Sequence, residues 1–281
     1  MRRIPAPVPP PRSGDPRDRL DGAVPSPAFA FLLSLITVSS LFWLVTLKRT
    51  TGYTLPEERL MSDVVPALQS VVRDDLPVLH SVLLVLSALG SGWFISLGFA
   101  VLGLGMLAIR RRDLAWLAAI GTLAFPMEWA LKYFTADPAI SLRQLWSGLF
   151  DIGGIGLDDI ADFPAGHALR ATVFYGIVAF TFARLVGRRR AGIAAYTVAA
   201  GLIFAISLIR VYLGAHYPID LLGGWIAGLA LLTIAVSWHV LQADDRLRVS
   251  ARQELIAQRR ASLGRLRGTT TPAVRSTGNE A

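Results

Sequence analysis

The chain has 281 residues, 53% of them hydrophobic and only 17% charged, with a mean hydropathy of +0.50. That balance excludes an ordinary soluble globule, and the absence of cysteine excludes disulfides, thiolate nucleophiles and thiolate metal sites. The net charge of +8 raises nucleic acid as a partner, so its distribution along the chain has to be read before its sign.

Residues 1–27 combine proline with charge and are expected to form a disordered cytoplasmic tail. Uncharged runs then occupy 28–47, 76–109, 191–209 and 221–243, each close to or above the roughly twenty residues that cross a bilayer. The first is longer than a signal-peptide core and follows an extended leader, so it reads as an anchor. Two further runs are interrupted: 114–134 carries Glu128 and Lys132 near its end, and 166–186 carries His167 and Arg170 at its start. The expected architecture is all-α and polytopic, with six transmembrane helices in a domain over 28–243.

With the N-terminus inside, the inner segments hold 20 of the 28 lysines and arginines, including Arg110-Arg111-Arg112, Arg184–Arg190 and the basic tail 244–281. That asymmetry follows the positive-inside rule, places both termini in the cytoplasm and accounts for the charge without nucleic acid. The first outer connector, PEERLMSDVVPALQSVVRDDL, has the spacing of an interfacial amphipathic helix, and the tail segment RLRVSARQELIAQRRASLGRLR could lie on an anionic membrane face or simply be solvated.

The two other outward segments hold nearly all ionisable residues near span ends. In HYPID, Pro218 suits the first turn of a helix, which puts His216 and Asp220 one turn apart, where the carboxylate can fix the imidazole tautomer. The same pair would also serve as a structural hydrogen bond. Arg210 closes the preceding span on that side, as a phosphate ligand or as a snorkelling anchor. In DFPAGHALRA, Gly166 and the opening of a helix offer backbone N–H groups to an anion, with His167 beside them. Lys132 stands near the outer end of its span, four residues after Glu128, a spacing that also fits a plain ion pair.

In this order and spacing the three elements resemble the phosphatidic acid phosphatase type 2 superfamily, membrane lipid-phosphate phosphatases related to vanadium haloperoxidases. Its pattern is Lys-x6-Arg-Pro, then Pro-Ser-Gly-His, then Ser-Arg-x5-His-x3-Asp. Pro164-Ala165-Gly166-His167 departs only at the serine. Arg210, His216 and Asp220 keep the third spacing, with Ile209 at its serine. The first block is degenerate: Lys132 is followed by Ala139 and Ile140 where arginine and proline belong.

The resemblance implies a phosphoric ester or diphosphate hydrolase acting on a lipid phosphate at the extracytoplasmic face, without metal or cofactor. His216 would be the nucleophile, Asp220 its orienting carboxylate and His167 the acid and base. Lys132, Arg210 and the N–H groups at Gly166 would hold the phosphoryl oxygens, with Arg170 or Arg143 offsetting the lost arginine. Transfer to a lipid or glycan acceptor is one alternative, and a non-catalytic lipid-phosphate binder or transporter is another.

Overall fold

The computed structural model describes residues 27–52, 54–135 and 163–268, and no strand occurs among them. The helices are α1 (Pro27–Thr51), α2 (Leu55–Arg59), α3 (Val65–Asp75), α4 (Pro77–Ala88), α5 (Gly92–Ala108), α6 (Arg112–Gly121), α7 (Ala124–Thr135), α8 (Gly166–Val186), α9 (Arg189–Tyr212) and α10 (Pro218–Gly268). A π-helical turn, Leu60–Val64, joins α2 to α3. The chain divides into two compact units, Met1–Ser237 and Trp238–Ala281; the second is helical as far as Gly268.

Among the described residues, four segments are long and apolar enough to cross a membrane: Arg112–Thr135, Gly166–Val186, Arg189–Tyr212 and Pro218–Gln242. The protein is therefore a multi-pass membrane protein, and the apolar surface it exposes, such as Phe42, Trp43, Val101, Val198 and Trp238, is what lipid would cover. The 34-residue run over 76–109 is not one straight span. It is two helices, α4 and α5, bent by 53°. The amides of Leu89, Gly90 and Ser91 each bond three residues back and end α4, and Gly90 lets neighbours come close: a Cβ there would lie 2.6 Å from Ile206 Cγ2 and 3.1 Å from His167 Cδ2. Helix α1, 25 residues long, contains the first uncharged run, 28–47.

Helix α8 is the centre of the first unit. Nearly every side chain from Gly166 to Thr181 is buried, with α5, α6, α7 and α9 packed around it. Helix α10 reaches α8 through glycine: an added Cβ at Gly224 would lie 2.6 Å from the Ala165 carbonyl oxygen, and one at Gly228 would lie 2.6 Å from Thr172 Cβ. This small-x3-small seam lets two backbones approach as closely as membrane helices do.

The expected amphipathic connector is present as α2, the π turn and α3. Val65 and Val72 are buried, Val72 in a cluster with Ile209, Tyr212 and Leu213, while Leu55, Val64, Leu68 and Val71 are exposed. Its docking is polar as well: Gln69 Nε2 donates to the Tyr212 carbonyl at 2.6 Å. Both faces carry apolar residues because one packs on the bundle and the other does not.

Candidate active site

The seam Arg210–Asp220 owes its spacing to a helix-ending turn. Gly214 adopts a left-handed φ of 72°, the Gly214 amide donates to Val211 O at 2.9 Å, and the Ala215 amide donates to Arg210 O at 3.0 Å. These are the paired hydrogen bonds that close a helix at a glycine, and they set the step from Arg210 to His216. Helix α10 then opens with Pro218 in its first turn. The Asp220 carboxylate reaches back to accept the Tyr217 amide through Oδ2 at 3.0 Å, satisfying one donor that a helix start leaves over.

That capping bond modifies the expected His216–Asp220 pairing. His216 Nδ1 lies 4.0 Å from Asp220 Oδ2, within ion-pair reach but longer than a hydrogen bond. One oxygen serves both the helix start and the imidazole, and the backbone amide has the shorter contact. Both residues are buried, Asp220 completely. Burial, reinforced by the positive charges of Arg210, Lys132 and Arg170, pushes the His216 imidazole well below its usual pKa of 6.5, so the ring is neutral at neutral pH.

The PAGH segment meets this turn directly. The Ala165 amide donates to the Asp220 carbonyl at 2.9 Å, and Ala165, Ala168 and Leu221 form one buried cluster with Trp225 and Val211 against it. A cis peptide joins Phe163 to Pro164. His167 is buried beside Gly90, with Arg210, Arg170, His216 and Lys132 all within electrostatic range of its ring. Motifs separated by some fifty residues of chain therefore lie side by side. His167 Nε2, His216 Nδ1 and Arg170 Nε are each buried without a hydrogen-bond partner among the described residues.

Lys132 and Arg170 are tied together by a residue the sequence offers only as an ion-pair partner. Glu128 is 3% exposed; its Oε1 is 3.4 Å from Lys132 Nζ, and its Oε2 binds Arg170 Nη1. The carboxylate also lies against the Cα of Gly166, where any Cβ would strike it. The plain reading of the Glu128–Lys132 spacing thus holds, and Arg170 completes the cluster. Arg143, Ala139 and Ile140 lie outside the described residues.

The departures from the superfamily's serines have a packing context. Ala165 sits in the apolar seam between α8 and α10, and Ile209 in the cluster under the connector. A second carboxylate braces the site from the connector. Glu57 accepts the Thr54 amide (3.1 Å) and hydroxyl (2.9 Å) on one oxygen and the Ile219 amide (3.1 Å) on the other, tying the connector to the start of α10. The Thr-x-x-Glu capping box was its signal. Among the described residues no group of histidines and carboxylates has the arrangement of a metal site.

Residues 139–244 match the PAP2 superfamily. The chain is 25% identical over 158 residues to phosphatidylglycerophosphatase B of Bacillus subtilis (strain 168), covering 55% of this chain and 72% of that protein. It also resembles the crystal structure of a transmembrane PAP2-type phosphatidylglycerolphosphate phosphatase from Bacillus subtilis, with a TM-score of 0.54, 21% identity, and coverage of 71% of this chain and 94% of that one. At that identity the likeness is one of fold. The superfamily match and the phosphatase relative support a phosphoric ester hydrolase.

Proposed function

We propose that this PAP2 protein hydrolyses a lipid phosphate or isoprenoid diphosphate at the extracytoplasmic face of the cell membrane through a phosphohistidine intermediate. The relative's name makes a phosphorylated glycerolipid such as phosphatidylglycerophosphate the first substrate to test. The sidedness rests on the clustering of basic residues at the opposite ends of the spans, which also supports six crossings with both termini cytoplasmic.

His216, neutral and buried, attacks phosphorus in line. With Nδ1 turned toward Asp220, Nε2 is the attacking atom. The bond from phosphorus to the lipid oxygen breaks as the new N–P bond forms, and His167 gives that oxygen its proton. His167 then takes a proton from water, which displaces the imidazole and releases orthophosphate. Asp220 stabilises the positive charge on His216 in both steps, while Arg210, Lys132, Arg170 and the N–H groups opening α8 hold the phosphoryl oxygens. Arg143 belongs to the same outward face by sequence and is a further candidate ligand.

One observation carries this reading: the Ala165–Asp220 backbone hydrogen bond, which brings buried His167 and His216 together among three cations. The test is phosphate release from a panel of lipid mono- and diphosphates in detergent, wild type beside His216→Ala. Release by wild type alone, with no acceptor added, supports hydrolysis. Release only as an acceptor-bound product would replace it with phosphotransfer, and equal release from both proteins would remove the nucleophile.

A further inference from the structure

Buried Glu128 and Arg170 form an ionic triad with the partly buried Lys132, and the reaction as drawn does not use its carboxylate. A buried ionic cluster made only for stability is a poor bargain, since desolvation offsets most of the attraction and apolar side chains of similar size do as well. Its position gives it another use. Glu128 projects from α7 with one oxygen on Lys132 of its own helix and the other on Arg170 of α8, and it lies against Gly166 at the point where α8 opens. Both cations are within electrostatic range of His167 and His216. Arg170 is held at Nη1 by Glu128, and its Nε is buried without a partner among the described residues.

Resting on the phosphatase reading, we propose that Glu128 is a positioning residue that aims Arg170 and Lys132 at the phosphoryl group, so that Arg170 supplies the guanidinium missing at Ala139. Arg170 alone would be a long side chain with many rotamers beside the two histidines. Anchoring one nitrogen fixes the plane of the guanidinium and leaves other donors for an anion, the preorganisation that makes arginine a selective phosphate ligand. Lys132 gains the same restraint one helical turn away.

Inorganic phosphate is the probe, because it reads the cradle independently of turnover. Its Kd is taken from the concentration dependence of thermal stability of the full chain in detergent, alongside kcat and KM for lipid phosphate release. Glu128→Gln is expected to weaken phosphate binding about tenfold and to lower kcat ten- to a hundredfold, with Glu128→Asp recovering most of both. In an Arg170→Met background Glu128→Gln should add less than twofold, because the side chain it positions is gone. The doubly apolar variant E128M/R170M guards against misfolding: it should fold, yet bind phosphate as weakly as Arg170→Met alone.

The proposal is overturned if Glu128→Gln matches wild type within twofold in both phosphate Kd and kcat, if its loss persists undiminished without Arg170, or if E128M/R170M keeps wild-type values. A wild type that binds inorganic phosphate but releases none from any lipid would instead count against the phosphatase reading and leave the cradle standing.

Discussion

Gly224→Ala should damage the site without touching any of its side chains. The new Cβ would lie 2.6 Å from the Ala165 carbonyl oxygen, 2.8 Å from Ala168 Cβ and 3.1 Å from the Leu169 nitrogen. Two of those three neighbours are backbone, so no side-chain rotation relieves the contact, and reaching ordinary van der Waals distance means opening the α8–α10 seam by most of an ångström. Overpacking of this kind costs about 1–3 kcal/mol. The same movement stretches the 2.9 Å bond from the Ala165 amide to the Asp220 carbonyl and separates His167 from His216. Misplacement by about 1 Å costs on the order of a hundredfold in rate. The assay is kcat/KM for lipid phosphate release with thermal stability in detergent, and Gly201→Ala is the control, because a Cβ there meets nothing within 4 Å. Gly224→Ala with wild-type rate and stability would refute the claim that this seam holds the two motifs together.

Gly166→Ala places a methyl against the Glu128 carboxylate and should lower the rate by about a hundredfold or more, measured as phosphate release. Because the His216 pKa lies below 6.5, the nucleophile stays neutral as pH falls through that value, and the acid limb of kcat/KM should appear below it. Lys132→Met removes one of the charges that depress it and should move that limb upward. The same depressed pKa implies stability that is complete above the unfolded value of about 6.5 and is lost as pH falls below it, readable as a falling Tm. Glu57→Ala leaves the Ile219 amide without its acceptor and should cost about 1–2 kcal/mol in thermal stability, whereas Glu57→Gln, which keeps an oxygen there, should cost less.

Much of the fold was legible in hydropathy and charge. The 166–186 run coincides with α8, and HYPID opens α10 with Pro218 in the first turn as expected. What escaped was tertiary in origin. The bend between α4 and α5 falls at a Gly90 whose role is set by Ile206 and His167, and hydropathy averaged over 76–109 does not register it. His216, His167, Asp220, Arg210, Lys132 and Arg170 stand out by type and spacing, and in the structure they lie within electrostatic range of the two imidazoles. The working distance between His216 and Asp220 was not recognisable, because Asp220 is shared with the Tyr217 amide, a competition that only the helix start reveals. Glu128 was visible one turn before Lys132, but its second partner, Arg170, lies 42 residues away, beyond any local pattern.

The central claim is that His216 attacks phosphorus, and trapping the intermediate tests it most directly. Wild-type protein mixed with lipid labelled in its terminal phosphate, then quenched and digested under alkaline conditions that preserve phosphohistidine, should carry label on the peptide containing His216, and His216→Ala should carry none. Label on another residue, or undiminished label and release in His216→Ala, would contradict it.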